Sequence, residues 1–173
     1  MGAQGPAPGR RRPAPLRSAS TATVGQHRYE WLYLYALVHP STGEVVRFVC
    51  TTVDTDLLSA VLAAFAETVG AGRDKPVVLV VDNAGWHVSD RLVVPDGVVL
   101  EFLPPHTPEL QPAERLWPLT NEALANRHFA SLKDLDTALS TRCRNLAAMP
   151  GTIEAETHFS WWPAAVPAPA GAK

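Results

Sequence analysis

The sequence predicts an α/β domain, a mixed sheet with an antiparallel hairpin at its edge and helices flanking it. Three observations carry this. Two aromatic and β-branched runs flank the turn-forming stretch "HPSTGE". Two strand-like apolar runs, "VVLVV" and, broken only by Glu101, "VVLEF", are separated by a connection too long for a hairpin. Two further stretches place apolar residues three and four apart, the spacing of one helix face.

The elements follow in order. "RYEWLYLYALVHPSTGEVVRFVCT" reads as the hairpin, with Pro40, Ser41 and Gly43 supplying the turn. "DTDLLSAVLAAFAETVGAG" spaces Leu58, Val61, Leu62, Phe65 and Val69 as an amphipathic helix that opens at Asp54 and Asp56 and stops at glycine. "KPVVLVVD" reads as a strand buried on both faces, and "GVVLEFLPP" as a second one. The segment "NAGWHVSDRLVVPD" between them has room for a short helix. Pro112 suits the first position of a helix running through "AERLWPLTNEALANRHF", which Pro118 kinks or divides. A last helix opens at Ser131, where "SLKD" has capping-box spacing, and continues through Leu135, Leu139, Cys143 and Leu146. Three regions result: a Pro- and Arg-rich leader over 1–27 read as unstructured, a folded domain over 28–150 and a tail over 151–173.

Composition bounds the function. The chain has 173 residues and a formal charge of -2, enough for one domain with a real core. Residues 1–29 hold five arginines and no Asp or Glu, so the remainder is acidic. Such an arm either binds nucleic acid through phosphate contacts or is a leader without function. Cys50 and Cys143 lie far apart, without the paired spacing of a metal site, and fit a reducing, cytoplasmic setting. The apolar run "WLYLYALV" is well short of the ~20 residues that span a bilayer, so no membrane segment is expected.

Two acids stand out. Asp82 closes a buried strand, the sheet edge where ligand sites collect, although an acid there also serves as a turn or cap. Glu114 lies in the first turn of a helix, a position the helix dipole favours regardless of chemistry. Its context is more telling. Pro104, Pro105, Pro108 and Pro112 fall within nine residues, so the loop loses little entropy on folding and delivers Glu114 with small positional scatter.

"VVDNAGWH", "LPPHTPELQPAERLWP" and "NEALANRHF" together resemble the second and third catalytic segments of mariner-superfamily insertion-sequence transposases. "HRYEWLYLYALVHPSTGEV" is similar to the hairpin of the same catalytic domain, and "THFSWWP" to its closing segment. The resemblance implies an RNase H-like fold and an Asp-Asp-Glu triad, with Asp82 as second acid and Glu114 as third. It implies Mg²⁺ or Mn²⁺ as cofactor, because in-line cleavage of a phosphodiester is served by two hard cations on carboxylate oxygens. It implies DNA as partner, both element ends and target, cleavage followed by strand transfer, and a possible homodimer. Around the pair, Asn83 either orients the metal shell or turns the chain. His87 and His106 either contact phosphate or move a proton, or are structural. Arg115 either contacts DNA or pairs with an acid, and Trp86 and Trp117 read as packing.

In the family the first acid lies on the strand preceding the hairpin. Residues 1–29 offer no carboxylate for that place. The expectation is therefore an N-terminally truncated catalytic domain whose first strand is missing and which is inactive alone. Two alternatives remain: a nuclease of this fold that recruits another acid such as Asp54, and a non-enzymatic remnant that binds DNA or oligomerises.

Overall fold

Turn chemistry closes the first two strands. The amides of Thr42 and Gly43 both donate to the His39 carbonyl, at 3.2 and 2.9 Å, and join β1 (Tyr33–His39) to β2 (Glu44–Cys50). The pair is antiparallel, in register from Tyr33 opposite Cys50 to His39 opposite Glu44. Gly43 sits at φ 69°, and a Cβ there would overlap the Pro150 carbonyl, so two reasons require glycine. The computed structural model describes residues 31–162. The leader over 1–27 and residues 163–173 of the tail lie outside the described residues.

Helix α1 (Thr55–Val69) starts where Asp54 Oδ1 accepts the Leu57 amide at 2.8 Å and stops at Gly70, left-handed at φ 67°. Its buried face holds Leu58, Val61, Leu62, Phe65 and Ala66; four of these belong to the expected stripe, and Val69, its fifth member, is only half-buried. Strands β3 (Val77–Val81) and β4 (Val98–Phe102) then pair in parallel, with Val77 opposite Val98 and Val81 opposite Phe102.

The architecture is the expected α/β arrangement, with one antiparallel and one parallel pair. Among the described residues these form two separate two-stranded sheets, β1–β2 and β3–β4. Two local expectations need correction. No helix forms between β3 and β4: the His87 and Val88 amides both reach the Ala84 carbonyl, at 2.8 and 3.3 Å, and Leu92 reaches Ser89 at 2.9 Å. One such turn does not nucleate a helix. The connection is instead moored to α1, by the Val93 amide on Ser59 Oγ at 3.0 Å and Arg91 on Asp56 at 2.8 Å. Nor are β3 and β4 buried on both faces. Val78 and Val99, opposite each other in register, are 64% and 53% exposed, because side chains alternate across a strand and only the other face of this pair, at Val98, is covered.

The proline-rich segment forms two short 3₁₀ turns, Pro108–Leu110 and Pro112–Arg115, followed by α2 (Leu116–Asn121). The single helix expected to run on to Phe129 is thus divided. Pro118, which has no amide to donate, falls in the first turn of α2, where none is needed. Helix α3 (Leu132–Ala147) begins as expected: Ser131 Oγ accepts the Asp134 amide at 3.2 Å and donates to Asp134 Oδ2 at 2.8 Å. A further helix, α4 (Pro150–Thr157), occupies sequence read as irregular, and it buries Ile153 and Thr157. Leu116, Leu146 and Ile153 from α2, α3 and α4 form one core cluster against Ala36 and Val38 of β1 and Val45 of β2. Tyr35 and Leu37, the intervening residues, point to the opposite face of the hairpin.

Candidate functional site

Asp82 is the first residue after β3, so its position is set by the strand's pairing with β4. Two contacts fix the turn that follows. Asp82 Oδ1 accepts the Ala84 amide at 3.1 Å, an Asx turn, and Asn83 Nδ2 donates to the Leu103 carbonyl at 2.5 Å, holding the ends of β3 and β4 together. Of the two readings for Asn83, the observed contact is with the chain.

The turn brings His87 back onto the acid. His87 Nδ1 lies 2.6 Å from Asp82 Oδ1 and 3.2 Å from the Asp82 carbonyl. Both neighbours are acceptors, so the proton belongs on Nδ1 and the ring donates to the carboxylate. The His87 side chain is 15% exposed while that of Asp82 is 55% exposed, so a sheltered ring holds an accessible carboxylate. Trp86 meets the His87 ring edge-on at 5.8 Å.

Glu114 reaches the same place from the other direction. The 3₁₀ turn at Pro112–Arg115 carries it, with its amide on the Gln111 carbonyl at 3.1 Å. Asp82 and Glu114 line one apolar cleft together with His87, Trp86, Trp117 and residues of β1 and β3. They also line a shallower cavity beside it with Asn83 and His106. His106 is held at φ 62°, in the left-handed region that a residue with a Cβ rarely adopts. Thus the two expected acids, Asn83, His87 and His106 converge on one end of the β3–β4 pair. Arg115 does not join them: its guanidinium lies over the Phe159 ring at 5.5 Å, a contact with the closing aromatic segment that neither sequence reading anticipated.

Asp54 is committed elsewhere, capping α1 and accepting from Thr52 Oγ1 at 3.3 Å, and it lines neither cavity around the acids. Sequence reasoning had no signal for the His87–Asp82 link, which depends on the tightness of the 84–88 turn. It also missed Tyr35 and Trp162, which reach the cleft from β1 and from the end of the described chain. The Tyr35 hydroxyl is buried with no hydrogen-bond partner among the described residues, and burial raises its phenol pKa, with Cys50 and Asp54 adding to the effect.

Two carboxylates with free oxygen lone pairs suit one hard cation that keeps most of its waters. They do not make a two-ion site. Among the described residues no group of three His, Cys, Asp or Glu side chains is placed to hold a metal. The described residues also contain no helix long and apolar enough to cross a membrane.

A family described as DDE superfamily endonuclease matches residues 8–136. An uncharacterized protein, y4pE/y4sA, of Sinorhizobium fredii (strain NBRC 101917 / NGR234) is 36% identical over 124 residues, which is 71% of this chain and 90% of that protein. No solved structure matches.

Proposed function

This chain belongs to the DDE superfamily endonucleases, and we propose that Asp82 and Glu114 are the second and third acids of its metal-dependent DNA-cutting site. The reading is that of a mariner-type insertion-sequence transposase domain, whose reactions are cleavage of a DNA phosphodiester and strand transfer to target DNA. One observation carries it: an acid at the end of a parallel strand and an acid on a proline-stiffened turn, with 31 residues between them in sequence, line one cleft. Open sheets place ligand sites at this edge.

The roles follow from the contacts. Asp82 offers its carboxylate to a divalent cation, Mg²⁺ or Mn²⁺, while the Ala84 amide and the His87 ring fix its orientation. Glu114 supplies the second carboxylate from a rigid backbone. Asn83 keeps the β3 and β4 ends in register beneath the site. A bound cation would polarise the phosphoryl oxygen and lower the charge cost of attack. The described residues supply only two of the three acids such chemistry uses, and residues 1–29 contain no carboxylate. On this reading the ligand set lacks one acid of three, and the domain is inactive on DNA by itself.

Mn²⁺ binding measured by water-proton relaxation tests the assignment. Weak binding that is lost in both Asp82→Ala and Glu114→Ala supports it, and binding unchanged by either substitution overturns it.

A further inference from the structure

Four residues near the acids form one chain of ring contacts. The Arg115 guanidinium lies over the Phe159 ring at 5.5 Å. Phe159 meets Trp161 at 5.3 Å with their planes 32° apart, and Trp161 meets Trp162 at 5.5 Å and 54°. The Trp162 amide on the Phe159 carbonyl at 2.9 Å closes the turn that gathers these rings. Both ends of the chain reach the acids. Arg115 follows Glu114 directly in sequence, and Trp162 lines the cleft with Asp82 and Glu114.

Two members of the chain are left open. Trp161 is 53% exposed, because its neighbours meet it at a tilt and brace the indole without covering it. A ring already held in place loses little freedom when a flat partner lies on it, which favours stacking. Arg115 makes no hydrogen bond or ion pair among the described residues, whereas Arg91 and Arg142 are committed to Asp56 and Glu122. A guanidinium anchored by its flat face keeps its in-plane N–H donors, and its full charge, for an oxygen anion.

We propose that Trp161 stacks an unpaired base of the DNA substrate and that Arg115 holds a neighbouring phosphate, so that the strand presented to Asp82 and Glu114 is opened there rather than paired. The choice of DNA as occupant rests on the functional reading above. An open ring joined through Phe159 to an open cation matches a nucleotide, whose base takes the ring and whose phosphate takes the charge. An apolar peptide would use the ring and leave the guanidinium without a partner. The base is unpaired because, within a closed duplex, its neighbours in the stack already cover both its faces.

The test measures fluorescence anisotropy of labelled DNA with the full chain in EDTA, where no metal links the acids to the DNA. Three DNAs of equal length are compared: a fully paired duplex, a duplex with a few unpaired nucleotides at one end, and the same unpaired end made of abasic nucleotides. The expected result is roughly tenfold tighter binding of the unpaired end than of the other two, the effect of one stacked base. Trp161→Ala abolishes this preference and Trp161→Phe keeps part of it. Arg115→Ala weakens binding to all three and lowers the slope of log affinity against log salt by about one. No binding, equal binding of the three DNAs, or a preference that survives in Trp161→Ala overturns the proposal. So does a preference that survives the abasic end, a comparison that needs no variant to fold. An unchanged salt slope in Arg115→Ala overturns the phosphate contact. Because no metal is present, the base preference together with Mn²⁺ binding that ignores Asp82→Ala and Glu114→Ala confirms the nucleotide site and overturns the metal-pair reading instead.

Discussion

His87 Nδ1 donates to Asp82 Oδ1 across 2.6 Å, and the same oxygen accepts the Ala84 amide. One carboxylate oxygen is thereby occupied by the protein and the other is left for a ligand. This division is what a metal-binding acid needs, since a carboxylate that can rotate freely loses entropy on every binding event. His87→Ala is expected to weaken Mn²⁺ binding roughly tenfold, and His87→Gln to recover part of the loss by restoring a donor. Isothermal titration of the two variants checks the order.

Gly43 joins the hairpin to α4. Its φ of 69° and the overlap that a Cβ would make with the Pro150 carbonyl act in the same direction. Gly43→Ala should cost roughly 2 kcal/mol or more, above the usual effect of a surface substitution, as read from the urea midpoint.

Ile153 is fully buried between Leu116 and Leu146. Truncation to alanine should cost about 3 kcal/mol, whereas Ser131→Ala, which removes only the α3 cap, should cost about 1 kcal/mol. Equal small losses in denaturation would show that α4 does not contribute to the core.

Burial raises the pKa of the Cys143 thiol, and nearby Arg47 only partly offsets this. The neutral thiol is the form the fold favours, so its contribution to stability is complete below the unfolded thiol pKa and is lost as pH rises through the folded value. Unfolding midpoints at about pH 7.5 and pH 10, either side of the ordinary thiol range, should fall less in Cys143→Ala than in the parent chain. Thiol-labelling reagents should modify half-exposed Cys50 first and buried Cys143 only on unfolding.

Much of this architecture is legible in the sequence because it depends on local chemistry. Pro40 to Gly43 specify a turn, Asp54 and Ser131 cap helices with their side chains, and "VVLVV" has the character of a strand wherever it packs. Helix α4 escaped because eight residues with only Ile153 and Thr157 buried show no periodic stripe, and because Pro150 and Gly151 look like breakers although proline suits a first helical turn. The missing helix between β3 and β4 reflects the opposite error, where available length was read as helix although Ala84 to Val88 closes only one turn. Asp82 and Glu114 stood out through their neighbours, the apolar run and the proline cluster. Their convergence with His87 and His106, and the departure of Arg115 toward Phe159, depend on tertiary placement that residue spacing does not encode.

As proposed, Asp82 and Glu114 of this DDE-family chain form a metal-binding pair that is incomplete for cleavage. This is tested most directly by nicking of supercoiled DNA with Mg²⁺ or Mn²⁺, comparing the purified chain with Asp82→Ala and Glu114→Ala. The expected outcome is no metal-dependent nicking by the chain alone above the level of either variant. Nicking by the chain alone that both substitutions abolish would contradict it, by showing that a third ligand is already present.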